Sequence, residues 1–370
     1  MNRVKKAGCI LINMNSKKIA LVLRKGDYSF PKGHLEEMET IKECAKRETI
    51  EETGHDVKIL GDEISIIKYK SSGGENVENH FFLGIDVGLT DKEIAEKDKE
   101  KTEWFGIDEI ENKLSYPNLK EVWKEIKPKV QEVIQKLQLD ILISKEDKYY
   151  YSYIKLKDES FIPTNIYCIE DLNNFENYNL ENHIIYFLCN VPLNSVIISK
   201  LENKKCYIIN SEFFIQKYSK LDVQKLLNEN SIEVPKLITI DGINKINYPI
   251  FCKENSHVGV NIVVYSENTL VKLFSKFNIS DFYCEEIIKN GKETKLYWIQ
   301  GKLFNNDMII DDKELNSLFR KIAEILKLEA YSADIIHKEY KNIVIDINPN
   351  SGYFGSNIAR KHFLKYIIIN

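Results

Sequence analysis

The sequence predicts a mixed α/β protein whose N-terminal part forms an α/β/α sandwich around a mixed sheet. Apolar runs of strand length recur through the first third of the chain, and two further segments have helical signals. The strand-like runs cover 7–13, 18–24, 57–70, 79–87 and 101–107. The helical segments cover 40–53 and 117–138, so one helix can lie on each face of the sheet. At 370 residues, the chain is long enough for two or three domains.

Local signals define the first elements. The first two apolar runs flank the polar sequence Asn-Ser-Lys-Lys, which predicts a β-hairpin. Pro31 and Gly33 predict a turn before the first helix. Thr40 can cap that helix, and Glu43, three residues later, completes a capping box. Gly54 predicts the end of the helix as a left-handed C-cap.

Three carboxylates lie close together on the first helix. Glu48 is three and four residues from Glu51 and Glu52, so all three side chains share one helical face. Their mutual repulsion is unfavourable unless a cation lies among them. Carboxylate oxygens bind Mg²⁺ or Mn²⁺, and Mg²⁺ leaves coordination positions for substrate phosphates. The cluster therefore predicts a metal site for a phosphorylated substrate, rather than a solvated acidic helix.

Residues 33 to 55 resemble the Nudix hydrolase signature, which places glycine, arginine and aliphatic residues at fixed distances from such a cluster of glutamates. The matching positions are Gly33, Glu39, Arg47, Glu48, Glu51, Glu52 and Gly54. Thr49 and His55 depart from positions that are aliphatic in the signature. The resemblance covers about residues 5 to 138 and implies the α/β/α sandwich and attack of water on a diphosphate linkage.

The resemblance also implies roles for individual residues. The three glutamates would hold the metal, or Glu52 would instead serve as the general base. The backbone carbonyl of Gly33 is a further candidate ligand. Glu39 and Arg47 are two turns apart and would pair across a loop that folds over the helix.

Basic side chains near this segment allow two interpretations. Arg24, Lys25 and Lys32 are close enough in sequence to meet phosphate oxygens. They are equally compatible with solvated surface charges. Glu100 could add a distal carboxylate, although the charge run around it is also typical of a solvated loop.

A second series of elements follows residue 140. Short apolar runs predict strands at 141–143, 184–188, 196–198 and 206–209. Further along, a helix through Lys220 to Asn228, a hairpin at Gln300-Gly301 and a helix at 315–326 are expected. Lys253 ends an apolar strand, where a lysine requires a charged partner. Asp346 and Asn348 alternate on one strand, so their oxygens point to the same face.

The order of these motifs over about residues 141 to 365 resembles the ATP-grasp superfamily, which implies a multi-subdomain α+β fold. The resemblance implies that Lys220 and Lys253 meet ATP phosphates and that a loop containing Gly259 covers them. Glu285, Glu286 and Ile287 are implied to form a hinge that reads adenine through the backbone, and Glu293 and Lys295 occupy positions where many members have Asp and Arg. The loop has one glycine where the family often has several, so the resemblance does not decide whether this loop closes over the phosphates.

The same resemblance implies a Mg²⁺ site at Asp334, Asp346 and Asn348. The alternative for the last two is an ordinary strand end with an Asx turn before Pro349. Arg360 could bind a substrate carboxylate or lie on the surface.

Together the motifs predict a Nudix hydrolase domain (1–139), a pre-ATP-grasp subdomain (140–210) and an ATP-grasp domain (211–370). The predicted function is Mg²⁺- or Mn²⁺-dependent hydrolysis of a nucleoside-diphosphate-linked or polyphosphate substrate. An ATP-dependent carboxylate–amine ligase would be fused to it. Two alternatives stay open for the C-terminal domain: a nucleotide sensor without ligase activity, or a small-molecule phosphotransferase.

Net charge, apolar run length and cysteine spacing limit the kinds of partner and the cellular location that the sequence predicts. The net charge of -4 favours neither nucleic acid nor an anionic membrane, so ATP and a phosphorylated small molecule or nucleotide are the expected partners. No apolar run is long enough to span a bilayer. Seven dispersed cysteines without a Cys-x-x-Cys pair predict reduced thiols and a cytoplasmic location.

Overall fold

The computed structural model shows a mixed α/β protein with four β-sheets in its described part. It describes residues 3–71, 73–95, 100–144, 150–171, 180–189, 195–239, 246–255, 260–306, 308–353 and 355–369. Each sheet is built from strands that are close in sequence, and the sheets follow one another along the chain.

The first sheet has seven strands and is mixed. Its strands are β1 (Val4–Asn13), β2 (Lys18–Arg24), β3 (Asp27–Ser29), β4 (Lys32–His34), β5 (His55–Lys70), β6 (Asn76–Leu89) and β7 (Lys101–Gly106). Their order is β3-β2-β1-β6-β5, with β4 paired to β1 and β7 paired to β2. β1 and β6 are parallel, whereas the other pairs are antiparallel. The predicted hairpin of the first two runs is confirmed.

Helices cover both faces of this sheet, which confirms the sandwich. They are α1 (Ile41–Thr53), α2 (Ile110–Lys113) and α3 (Pro117–Lys136). On one face Cys9 and Leu11 pack with Ile50 of α1. On the other face Ile10 packs in the same cluster as Trp123 of α3. Successive residues of β1 therefore pack into the apolar clusters on opposite faces of the sheet, because side chains alternate between the two faces of a strand.

The prediction of a turn at Pro31 and Gly33 is wrong, because Lys32–His34 form the short strand β4. Gly8 of β1 explains the pairing. A Cβ atom at Gly8 would lie 1.9 Å from the Pro31 carbonyl oxygen, so only glycine permits this approach. β4 consequently lies beside α1.

The second sheet is parallel and has the order β11-β10-β8-β9. Its elements are β8 (Leu139–Ile143), α4 (Tyr150–Asp158), β9 (Thr164–Cys168), β10 (Ile184–Phe187), α5 (Ser195–Asn203) and β11 (Tyr207–Ile208). The strand predicted at 196–198 is wrong, since this run lies in α5. Ile198 and Leu201 are three residues apart and share one buried cluster, which is helical spacing that a short apolar run does not reveal.

The last two sheets are antiparallel. The third has the order β12-β15-β13-β14 and the fourth β18-β17-β16-β19-β20. Their strands are β12 (Leu237–Ile238), β13 (Ile250–Glu254), β14 (Asn261–Val264), β15 (Phe282–Glu286), β16 (Lys292–Ile299), β17 (Lys302–Asn305), β18 (Met308–Ile310), β19 (Ala330–Lys338) and β20 (Lys341–Asn348). The accompanying helices are α6 (Ser211–Gln216), α7 (Lys220–Glu229), α8 (Glu267–Phe274), α9 (Lys313–Leu326) and α10 (Asn357–Tyr366). The predicted hairpin at Gln300-Gly301 and both predicted helices are present.

One apolar cluster joins several of these sheets. It contains Ile10 of β1, Ile141 of β8, Phe304 of β17 and Phe363 of α10. The first and last parts of the described chain therefore share buried packing. The domain boundaries 1–139, 140–210 and 211–370 stay predictions.

The prediction of reduced thiols is wrong for one pair. Cys252 and Cys284 form a disulfide between β13 and β15, where their Cα atoms are 4.3 Å apart. The sequence did not indicate this pair because 32 positions separate the two cysteines and only strand pairing brings them together. In the described residues, no helix combines the length and apolar character that crossing a bilayer requires.

Candidate active sites

The position of α1 is set at both of its ends. The Thr40 hydroxyl accepts a hydrogen bond from the Glu43 N–H, and the Glu43 carboxylate accepts one from the Thr40 N–H. Gly54 has φ of 74°, and its N–H donates to the Ile50 carbonyl. Both predicted caps are confirmed. They fix where α1 begins and ends, and α1 packs beside β4.

Thr49 shows how the helix tolerates a hydroxyl where the signature has an aliphatic residue. The side chain is buried, and its Oγ1 donates to the Ala45 carbonyl at 2.6 Å. The same oxygen accepts from the Cys9 N–H at 3.2 Å. Because the hydroxyl is satisfied, the departure from the signature leaves no unpaired polar group in the core.

Arg47 is the centre of the acidic face. Its Nε and Nη2 donate to the two Glu39 oxygens at 2.8 and 2.9 Å, so the predicted Glu39–Arg47 pair is present. Its Nη1 also donates to Glu48 at 2.8 Å and to Glu51 at 2.9 Å. The hydrogen bonds from Arg47 hold the pKa of Glu39 below its usual range. One guanidinium therefore binds three carboxylates.

Glu48 lies directly against the backbone of β4. A Cβ atom at Gly33 would be only 2.0 Å from the Glu48 Oε2, so a side chain at Gly33 would overlap the carboxylate. Burial raises the pKa of Glu48, although Arg47 opposes the shift. The signature glycine thus leaves the room that this glutamate occupies.

Glu52 is the most strongly perturbed carboxylate of the face. Burial raises its pKa to about 7, while the Lys32 N–H, which donates to its Oε2 at 2.9 Å, opposes the shift. Burial also lowers the pKa of the Lys32 ammonium. A carboxyl group with a pKa near neutrality can accept a proton from water and release it again.

The neighbouring charges separate into two groups. Arg24 and Lys32 both interact electrostatically with Glu52, so the structure brings them to the site. Lys25 is exposed in the β2–β3 turn. Glu100 binds Arg24 at 2.9 Å, and its N–H donates to the Glu52 carbonyl, which places this distal carboxylate beside the site.

The three glutamates do not converge on one point. Glu48 and Glu51 share Arg47, whereas Glu52 accepts from the β4 backbone. Across the described ranges, no group of three His, Cys, Asp or Glu side chains has the arrangement of a metal site. The donor set nevertheless fits a hard cation, since Glu48 and Glu52 are partly buried carboxylates with raised pKa values beside the Gly33 backbone. The metal ligands stay predictions.

A second polar group lies on the fourth sheet. Lys295 of β16 is paired in register with Asp334 of β19, which is paired in turn with Asp346 of β20. The Lys295 Nζ lies 3.0 and 2.9 Å from the two Asp334 oxygens. Lys220, the first residue of α7, extends its Nζ to within 3.3 Å of Asp346. These four side chains therefore lie on one face of three adjacent strands and the helix beside them.

Lys253 has the charged partner that the sequence requires. It is almost fully buried, and its Nζ contacts Glu285 at 2.6 Å and donates to the Ile345 carbonyl at 2.8 Å. Glu285 was expected to contribute only backbone to a hinge. Its carboxylate is instead buried against Lys253, and burial raises its pKa although Lys253 opposes this. The carbonyl of Ile345 places this pair next to Asp346.

The remaining hinge residues border an open cavity. Glu286 and Ile287 line a space of about 610 Å³ together with Ile238 and Tyr248. The Glu286 N–H is already bonded to the Lys236 carbonyl. Glu293 is exposed on β16 and pairs in register with Ile336. Gly259 lies outside the described residues.

The Asx turn foreseen as an alternative is present. The Asn348 Oδ1 accepts a hydrogen bond from the Asn350 N–H at 2.9 Å. Asp334 and Asp346 face each other on neighbouring strands, and Asn348 follows two residues later on β20. The Mg²⁺ role of the three residues stays a prediction.

The surface placement of Arg360 is wrong, whereas its binding of a substrate carboxylate stays a prediction. The side chain is buried, and its Nε and Nη2 donate to Glu159 at 2.8 and 2.7 Å. The pair joins α10 to the end of α4. Sequence reasoning missed it because the partners are 201 positions apart.

Comparison with known proteins gives matches of two kinds. A family model described as NUDIX domain matches residues 2–127. A NUDIX hydrolase structure from Nitrosomonas europaea is 23% identical over 35% of this chain and 90% of its own, with a TM-score of 0.31.

Other solved structures are similar to a larger share of this chain. D-alanine–D-alanine ligase from Bacillus anthracis is 16% identical over 63% of this chain and 96% of its own, with a TM-score of 0.47. A RimK domain ATP-grasp protein from Sphaerobacter thermophilus is 11% identical over 62% of this chain and 99% of its own, also with a TM-score of 0.47.

Proposed function

We propose that the Nudix domain hydrolyses a diphosphate linkage in a nucleoside-diphosphate-linked or polyphosphate substrate, with Glu52 as general base. The observation that carries the proposal is the environment of Glu52. Its carboxyl group is partly buried, has a pKa of about 7 and lies beside Lys32 and Arg24. A base of this pKa and two cations at one place suit the removal of a proton from water next to a phosphate.

Each side chain of the site has a separate role in the proposed hydrolysis. Lys32 and Arg24 bind phosphate oxygens and orient the linkage, and Glu52 takes the proton of the attacking water. The Glu39–Arg47 pair holds β4 and the preceding loop against α1. Glu48, Glu51 and the Gly33 carbonyl are the proposed oxygen ligands for Mg²⁺ or Mn²⁺, and Glu52 stays free to act as the base. When bound, the cation supplies neutralisation of phosphate charge and acidifies water.

A metabolite panel tests this proposal. Purified protein is incubated with dinucleoside polyphosphates, nucleotide sugars and nucleoside triphosphates in Mg²⁺, Mn²⁺ or EDTA, and the phosphorylated products are separated by chromatography. We expect cleavage of at least one diphosphate linkage with a divalent cation and none in EDTA. Equal cleavage in EDTA would remove the metal from the proposal, and no cleavage of any member would contradict the hydrolase itself.

For the C-terminal part, we propose that ATP binds across the third and fourth sheets and activates a carboxylate. The supporting observation is the convergence of Lys220, Lys295, Asp334 and Asp346 beside the buried Lys253–Glu285 pair. Lysines bind phosphate oxygens as point charges, and the two aspartates are the proposed oxygen ligands of Mg²⁺.

In the proposed reaction, a carboxylate oxygen of the acceptor attacks the γ-phosphorus of ATP and the bond to ADP breaks. An amine then attacks the acyl carbon, phosphate leaves, and the amine loses a proton. Each cycle therefore consumes ATP and releases ADP and phosphate.

ADP release with carboxylate and amine pairs tests this second activity. We expect release that depends on both acceptors and that falls at least about 100-fold in Asp334→Asn, because a Mg²⁺ ligand acts in the transition state. Asp311→Asn, at an exposed aspartate of the same region, is the control. ATP binding without ADP release from any pair would favour the nucleotide sensor instead.

A further inference from the structure

A group of basic side chains lies beside α10, which contacts β5 through Lys365 and Asp56 and contacts the β16–β17 hairpin through His362 and Phe304. Leu60 of β5 packs against the cluster that contains Phe304 and Phe363. Lys58 is two residues before Leu60 and so points to the same face of its strand. Lys302 is likewise two residues before Phe304 on β17. Three elements from distant parts of the chain thus bring cationic residues to one seam.

His362 of α10 lies in the middle of this seam. Its ring packs against Phe304 at a tilt of 43°, with the ring centroids 5.0 Å apart. Lys365 is one turn further along α10 and is neutralised by Asp56 at 2.9 Å. The aromatic contact fixes the position of the imidazole, and the ion pair fixes the helix against β5.

The other cations of the seam have no such counter-charge. Within the part of the chain that the structure describes, neither Lys58 nor Lys302 forms an ion pair. Lys58 is half-buried, and Lys46 and Lys42 of α1 are close enough to repel its ammonium group. Lys42 donates to the Gly61 carbonyl at 3.0 Å, which places α1 beside the same strand.

Burial and the repulsion among these groups lower the pKa values of Lys58 and His362. Burial, Lys46 and Lys302 together lower the pKa of Lys58 to about 8. Burial, Lys302 and Lys58 lower the pKa of His362 to about 4. Clustered cations without a partner destabilise a fold, and an anion placed among them removes that cost.

We propose that Lys58, Lys302 and His362 form a binding site for a phosphate group at this seam. Phosphate suits the site because it carries multiple negative charges and accepts several hydrogen bonds. The ligand is either free phosphate or the terminal phosphoryl group of a larger metabolite. The three side chains differ from those of the Glu52 site and the Lys253 site, so the proposal does not depend on either proposed reaction.

The titration of His362 reports on occupancy of this site. The ring Cε1–Hε1 signal is assigned with His362→Gln and followed by NMR from pH 3.5 to 8, in sodium phosphate and in sodium chloride of equal ionic strength. We expect phosphate to raise the midpoint by at least about one pH unit, because an adjacent anion stabilises the imidazolium. Equal midpoints in both salts would overturn the proposal.

Two variants give an independent readout. Lys58→Met should abolish the phosphate-induced shift of His362 and should melt in chloride at the same or a higher temperature than the wild type. Lys68→Met removes a lysine of the same strand that is already paired with Glu78, so it should keep the full shift. A full shift in Lys58→Met would exclude Lys58 from the site and overturn the proposal.

The NMR titration of His362 is repeated with adenosine monophosphate in place of inorganic phosphate. A shift of His362 with both compounds assigns the site to a terminal phosphoryl group, and a shift with inorganic phosphate alone assigns it to free phosphate. A shift with neither contradicts the proposal.

Discussion

Glu52 and Gly33 show how single residues set the chemistry of the first site. Glu52 is at a signature position, yet its pKa of about 7 results from burial that only the folded chain provides. Gly33 is needed because its backbone touches the Glu48 carboxylate. One residue provides the reactive group, and the other provides the space around it.

Replacing Glu52 tests its role as base. Glu52→Gln keeps the size and the hydrogen bond from the Lys32 N–H but cannot accept a proton. We expect kcat for diphosphate hydrolysis to fall about 100- to 10,000-fold, with an unchanged melting temperature. The exposed Glu37→Gln serves as the control and should keep full activity. An unchanged rate in Glu52→Gln would assign the base to another residue.

Replacing Gly33 tests the packing around Glu48. In Gly33→Ala the new methyl group would overlap the carboxylate, so we expect the free energy of unfolding to fall by roughly 1 to 3 kcal/mol. Urea denaturation followed by circular dichroism measures the change. Gly73→Ala is the matched control, because its nearest neighbour would be 3.8 Å away and its φ is not positive. If both variants are equally stable, the overlap is relieved at no cost.

At the scale of elements, α1 and β4 act as one unit. α1 is delimited by the Thr40–Glu43 capping box and Gly54, and Arg47 ties it to the loop through Glu39 and the His34 carbonyl. β4 then presents its backbone to Glu48 and Glu52. The helix was predictable from local signals. β4 was not, because its pairing depends on the missing side chain of Gly8 in another strand.

The pH dependence of stability tests the tie between Glu39 and Arg47. Hydrogen bonds from Arg47 lower the folded-state pKa of Glu39 below its usual value of 4.5. The stabilisation is therefore complete above the unfolded-state pKa and is lost as pH falls through the folded-state pKa. Glu39→Gln should be less stable than the wild type at pH 7, and the difference should shrink steadily below about pH 4.5. Urea titrations at several pH values measure it, and a difference independent of pH would contradict an ionic tie.

At the scale of the whole molecule, buried contacts join the two ends of the chain. The Arg360–Glu159 pair connects α10 to the end of α4, and Lys365 connects α10 to Asp56 of β5. The same apolar cluster runs from β1 to α10. The proposed phosphate site lies on this shared seam, where neither half alone holds all three of its side chains.

Removing Arg360 tests how much this long-range contact contributes. Arg360→Met keeps much of the apolar stem but leaves Glu159 without its bidentate partner. We expect the free energy of unfolding to fall by roughly 2 to 3 kcal/mol, as for other hydrogen bonds to charged groups. Lys136→Met removes an exposed ion pair with Glu132 on α3 and should leave stability unchanged within error. Equal stability of the two variants would show that the buried pair contributes nothing.

The sequence by itself determined the elements whose signals are local. The hairpin, the caps of α1, the spacing of its glutamates and the Glu39–Arg47 pair all follow from residues close together in the chain, because helical periodicity and capping operate over a few residues. Tertiary structure alone decided what joins distant positions: the Cys252–Cys284 disulfide, the Lys253–Glu285 and Arg360–Glu159 pairs, and the helical state of residues 196–198. Strand register and burial set these features, and both depend on partners that no local pattern specifies.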